Sequence, residues 1–253
     1  MTTALALRGL VKRFGHTLAV DRVDLDIPAG SFYGVVGPNG AGKTTTLSMA
    51  TGLLRPDAGT VHVHGVDLWA DPERAAPLLG VLPDGVRLFD RLTGAELISY
   101  AGLLRGMDRQ VIAARRDDLL DALDLHSAGS RLVADYSAGM TKKIALACAL
   151  VHAPRLLVLD EPFEAVDPVS AAAIRVILRR LVAAGGTVVM SSHVMALVEQ
   201  VCDHVAVVAG GHVLAQGTLD EVRAGEDLEA RFVGLLGGGD AGPELTWLRP
   251  SSV

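Results

Sequence analysis

Aromatic residues are scarce, at 4 % of the chain, and the 23 Lys and Arg are outnumbered by 29 Asp and Glu, for a formal charge of -6. These shortages argue against a nucleic-acid footprint, which takes clustered basic side chains and, on single strands, aromatic stacking platforms. Cysteine is nearly absent. Cys148 and Cys202 both sit in apolar sequence with no metal-ligand spacing around them, so they read as buried thiols of a cytosolic protein and not as a disulfide or a zinc site. Long hydrophobic runs are missing too: no apolar segment approaches the roughly 18 residues that span a bilayer. The start, MTTALALRGLVKRFG, has only a short apolar stretch with no charged leader before it, which argues against a secretory signal. What is plentiful is apolar sequence in short pieces. Half of the 253 residues are hydrophobic, enough for a large core and incompatible with disorder as the main state.

Those pieces alternate with Gly and Pro punctuation. ALALRGL, VDLDI, SFYGVVG and the period-two run GTVHVHGVDL read as strands, some of them antiparallel. Between about Ala95 and Ala153 the spacing of Leu, Ile and Ala becomes helical, opened by Thr93 to Glu96 in the form of a capping box. Strand RLLVLD, helix SAAAIRVILRRLVAAGG, strand TVVMSS, helix HVMALVEQVC and a strand pair turning at Gly210 and Gly211 follow. Near-continuous apolar strands alternating with helices imply a parallel sheet covered on both faces. From Arg223 onward the Gly-rich tail reads as irregular.

GVVGPNGAGKTTTL places Gly37, Gly42, Lys43 and Thr44 in the spacing of a phosphate loop, after a strand and before a helical run. Its glycines let backbone N–H groups from Asn39 through Gly40, Ala41 and Gly42 to Thr45 converge on phosphates, aided by the positive end of the helix. Lys43 supplies a charge to the β- and γ-phosphates, and the Thr44 hydroxyl can ligate Mg²⁺. Downstream, LLVLDEP brings Asp160 and Glu161 to the carboxyl end of a buried strand, where ligands of open α/β sheets bind. Asp160 is placed to hold Mg²⁺, and Glu161 to take a proton from an attacking water. Alone, the pair would be an ordinary acidic turn. VVMSSHV delivers His193 to the same edge, in reach of a γ-phosphate; a lone His is otherwise more often structural.

In order, GPNGAGKTT, YSAGM, LLVLDEP, VDP and SSH resemble the nucleotide-binding domain of ABC transporters over about residues 4–222. The resemblance implies an α/β P-loop NTPase core with a mostly parallel sheet, an N-terminal antiparallel β-subdomain and an inserted α-helical subdomain at about 90–152. The nucleotide-binding domain then spans 1–222 and a C-terminal tail 223–253. It also implies ATP and Mg²⁺ as ligands, ATP hydrolysis, a second ATP-binding subunit, in the favoured case an identical copy, and a separately encoded membrane permease, with this chain peripheral on the cytoplasmic side of the cell membrane. YSAGM looks like a variant of the family signature LSGGQ, so that Ser137 and Gly139 would close on the ATP of the other subunit. Phe14 would stack on adenine, with a core Phe as the alternative, and Asp167, by itself an ordinary turn residue before Pro, would take the D-loop position facing the partner's ATP.

Departures from the family pattern stand beside these matches. Asp84 occupies the place where most members carry Gln, so it could ligate Mg²⁺ while adding charge beside Asp160 and Glu161. Ala138 replaces a Gly, and Met140 replaces a Gln whose amide it cannot imitate. SYAGLLRGM and DLEARFVGLLGG resemble the ATPases of daunorubicin-type resistance exporters. The alternatives are a soluble relative serving translation or DNA repair, a P-loop kinase or GTPase, and a silent binding module.

Overall fold

The computed structural model describes residues 2–85 and 87–237. Strands β1 (Thr3–Phe14) and β2 (Thr17–Pro28) form a long antiparallel hairpin, extending well past the apolar stretches that suggested them. Strand β3 (Phe32–Val36), every residue of it buried, runs into the phosphate loop and helix α1 (Lys43–Ala50). GTVHVHGVDL is a hairpin of β4 (Ala58–Val63) and β5 (Val66–Asp67), with His64 and Gly65 at positive φ in its turn. A single helical turn, α2 (Pro72–Ala75), capped by Asp71, precedes β6 (Leu79–Leu82).

The helical stretch is three helices: α3 (Gly94–Leu104), α4 (Arg109–Ala122) and α5 (Ala138–Leu150). Thr93 and Glu96 make the predicted capping box at the start of α3, each side chain meeting the other residue's backbone N–H. Then come β7 (Leu156–Leu159), α6 (Pro168–Ala183), β8 (Thr187–Ser192), α7 (Met195–Val201), β9 (His204–Ala209) and β10 (His212–Thr218). Helix α7 begins two residues later than the sequence pattern suggested. The Ser192 hydroxyl accepts the Val194 N–H at 3.0 Å and ends the strand, leaving His193 in a loop.

The irregular tail expected from Arg223 is corrected for the described residues. Helix α8 (Leu219–Arg223), opened by the capping box of Thr218 and Glu221, ends where that tail begins, and within the tail α9 (Leu228–Leu235) starts at Asp227, whose carboxylate accepts the Ala230 N–H at 2.7 Å. Buried Leu228 draws α9 inward. Glu199 of α7 clasps this end of the chain, accepting the Leu228 N–H at 2.8 Å and lying 3.2 Å from the Arg223 guanidinium. The remainder of the tail, residues 238–253, lies outside the described residues.

Two sheets organise the molecule: an antiparallel one of order β2-β1-β4-β5 and a six-stranded one of order β10-β9-β3-β8-β7-β6, parallel except for β10. Alternation along the central strands gives the large sheet two apolar faces. Phe32, Val36, Leu157, Leu159, Val188 and Met190 pack with helices α3 to α9. Tyr33, Val35, Val158 and Val189 pack with α1 and the antiparallel sheet. Each fully buried Leu or Val adds about 1.5–3 kcal/mol. Because β3, β8 and β7 run parallel with Val36 opposite Ser192 and Leu159 opposite Met190, their carboxyl ends open on one edge.

Candidate nucleotide site

At that edge a cavity of about 470 Å³ is lined by Asn39 to Thr45, Phe14, Asp84, Glu161 and His193. Two glycines let the loop exist. A Cβ on Gly42, whose φ is +100°, would fall 2.5 Å from the Ala19 carbonyl oxygen, and one on Gly37 would fall 2.0 Å from that of Val208. The buried Lys43 ammonium donates to the carbonyls of Gly37 at 2.8 Å and Pro38 at 3.2 Å and lies 3.8 Å from Glu161 Oε1. The other oxygen, Glu161 Oε2, lies 3.1 Å from His193 Nδ1. One carboxylate thus reaches both a cation and an imidazole. Glu161 holds a φ of 45°, uncommon for a residue with a side chain.

Asp160 is buried just past β7, its N–H donating to the Leu82 carbonyl at 2.8 Å. Beside the main cavity, a crevice of about 70 Å³ is lined by Thr44, Asp84 and Asp160. Hydroxyl and carboxylate oxygens are the donor set that a hard cation such as Mg²⁺ takes. Among the described residues no group of three His, Cys, Asp or Glu could hold a metal by itself. Exposed Phe14, 51 % accessible at the end of β1, presents its ring at the cavity mouth, with Lys12 Nζ 5.8 Å from the ring centre.

Ser137, Gly139 and Asp167 are brought together elsewhere and do not line this cavity. Ser137 is the N-cap of α5, accepting the Met140 N–H at 3.3 Å. A Cβ on Gly139 would sit 3.3 Å from Asp167 Oδ2 and 3.6 Å from the Ser170 hydroxyl. Asp167 in turn caps α6, accepting the N–H groups of Val169 at 3.0 Å and Ser170 at 2.9 Å. The Ser170 hydroxyl and these amides hold its carboxyl below the usual range.

Two residues of the site escaped the sequence reading. Glu164 lines the cavity as a further carboxylate, and buried Ser191 hydrogen-bonds Asp160 and Glu161. A serine inside the apolar run VVMSS was the available signal for the second. Burial pushes the Cys148 thiol up to about 12 and raises that of Cys202, and both are free, as inert core thiols would be.

Residues 20–164 match the family described as ABC transporter. The chain is 39 % identical over 223 residues to the daunorubicin/doxorubicin resistance ATP-binding protein DrrA of Streptomyces peucetius, covering 88 % of this chain and 68 % of that one. It is 37 % identical to the ABC transporter ATP-binding protein NatA of Bacillus subtilis, over 86 % of this chain and 90 % of NatA. Among solved structures, an ATP-binding subunit of an ABC transporter superposes with a TM-score of 0.86 at 29 % identity, covering 92 % of this chain and 100 % of that one. With the phosphate loop, the acidic pair and His193 converging on one sheet edge, the chain belongs to the ABC transporter family, as one of its ATP-binding, ATP-hydrolysing subunits.

Proposed function

We propose that two copies of this chain sandwich two ATP–Mg²⁺ and use their closure and release to drive a separately encoded permease that exports drugs or other small molecules. The observation that carries the catalytic part is the Glu161 carboxylate, shared between Lys43 at 3.8 Å and His193 at 3.1 Å. In this reading Glu161 takes the proton of the attacking water, the γ-phosphoryl group passes to that water, and ADP leaves. Lys43 exchanges its loop carbonyls for the β- and γ-phosphates, and the phosphate-loop N–H groups complete the cradle. His193 keeps one ring nitrogen on Glu161 and offers the other to the γ-phosphate. Mg²⁺, held by Thr44 and Asp160 with Asp84 beside them, would offset phosphate charge.

Ser137, Gly139 and Asp167 serve the partner's nucleotide, and Phe14 stacks on adenine. Residues 1–222 are the nucleotide-binding domain with a helical insertion at about 90–152, and closure pulls on the permease through the region around Asp84 to Leu92 that joins the two. Support for export comes from the names of relatives that act in daunorubicin resistance, Nod factor export and bacitracin transport. Among the described residues no helix is long and apolar enough to cross a membrane, which suits a subunit seated on the cytoplasmic face beside a permease. Glu161→Gln, assayed with the permease, should slow hydrolysis by on the order of 10² to 10⁴. Hydrolysis at the parent rate would remove Glu161 from the base role.

A further inference from the structure

Ser191 is the fifth residue of β8 and has no exposed surface. A hydroxyl is tolerated at such depth when its hydrogen-bonding capacity is used, and here it is used twice. Ser191 Oγ donates to Asp160 Oδ1 and accepts the Glu161 N–H at 2.8 Å. The position in the ladder explains why a side chain is needed. Leu159 and Met190 are the last pair between β7 and β8, and Ser191 follows. Just there the chain of β7 turns away, with Glu161 at a φ of 45°. Its N–H goes to the Ser191 hydroxyl where a continuing ladder would give it a β8 carbonyl. Two residues on, the same chain supplies His193, whose Nδ1 meets Glu161 Oε2 at 3.1 Å. The segment from Ser191 to His193 therefore holds Glu161 at both ends, backbone and carboxylate, while fixing the Asp160 carboxylate with the same hydroxyl.

We propose that Ser191 is a positioning residue for hydrolysis, aligning the proton-accepting carboxylate of Glu161 with the cation-holding carboxylate of Asp160. The proposal rests on the base role given to Glu161 above. Removing the hydroxyl frees the kinked backbone to relax, and displacement of a reacting group by about 1 Å can cost on the order of 10²-fold in rate.

The test uses the full chain with its permease. Ser191→Ala should lower kcat by on the order of 10- to 100-fold, leave KM for ATP within about twofold, and leave equilibrium binding of the fluorescent analogue mant-ATP unchanged. Ser191→Thr, which keeps the hydroxyl on a side chain suited to a strand, should recover kcat to within about threefold of the parent. If Ala does not fold, Ser191→Cys, with its weak thiol donor, carries the same expectation as Ala. A parent-like kcat in Ser191→Ala overturns the proposal. Equal losses in Ala and Thr, tracking equal falls in melting temperature, also overturn it, because packing alone would then account for both. Glu161→Gln, measured in parallel, separates the two failures. If it loses turnover while Ser191→Ala does not, only the role of Ser191 falls; if it keeps turnover, the base assignment falls and takes this proposal with it.

Discussion

The phosphate-loop edge and the Ser137 loop are both built on helix starts, yet they are finished to different degrees. At the first, the Glu161 carboxylate already reaches both Lys43 and His193, residues carried by three different strand ends. At the second, the polar groups are spent locally: Ser137 caps α5, and Asp167 caps α6. Gly139 lies against that corner, where a Cβ would sit tightly, at 3.3 Å, on the Asp167 carboxylate and in ordinary contact with the Ser170 hydroxyl. The first region brings its chemically active side chains together within one chain. The second is a corner of small residues, and the role proposed for it depends on a partner laid against it.

The largest effect that tests this contrast is at the first region. Glu161→Gln should abolish most turnover yet leave ATP-dependent dimers visible by sedimentation; loss of the dimers as well would show that the two regions are not separable. Next comes Ser137→Arg, which should eliminate ATP-driven dimerisation while mant-ATP binding stays at the parent level, because the guanidinium is bulky and the residue does not line the chain's own cavity. Unchanged dimerisation would count against the partner role.

A smaller effect concerns Asp84, which lines both the cavity and the Thr44–Asp160 crevice. Without Mg²⁺ and at low salt, Asp84→Asn should tighten ATP binding about three- to tenfold by removing a like charge, a gain that fades as salt screens it. With Mg²⁺, the same variant should need more of the cation for half-maximal turnover. Tightening under both conditions would limit Asp84 to a charge effect.

The smallest effect lies away from both regions and serves as a control for pH. Burial, with Arg105 and Arg115 nearby, holds the His152 imidazole down to about 4 from an ordinary 6.5. Above pH 6.5 neither folded nor unfolded chain binds this proton and the contribution to stability is complete. As pH falls from 6.5 toward 4 the unfolded chain takes up the proton first, so stability declines through that window. Thermal melting of the parent and of His152→Gln should show the slope reduced in the variant.

Most of the first region was legible because its chemistry sits in short contiguous motifs at the ends of strongly apolar strands. GPNGAGKTT, LLVLDEP and SSH each announce a strand end, and parallel register does the rest. Strand β6 was harder to read: LGVL is four residues between two prolines, and its pairing with β7 supplies what its own pattern lacks. Helix α9 was masked by its glycines, since GLLGGG reads as irregular; its Asp227 cap is local, but the Leu228 amide and side chain are settled by packing against α7 and Glu199. Ser191 left only the faint signal of a serine in an apolar run, because its role resides in two hydrogen bonds to residues about thirty positions earlier.

Glu199 gives the end of the chain a mechanical connection. Helix α7 starts two residues after His193, and its Glu199 grips both Arg223 and the first amide of α9. An outboard handle is thereby bolted to the loop that carries the histidine. A dye attached at Val233, 46 % exposed on α9, would ride on that handle and report the posture of the histidine loop from outside the cavity.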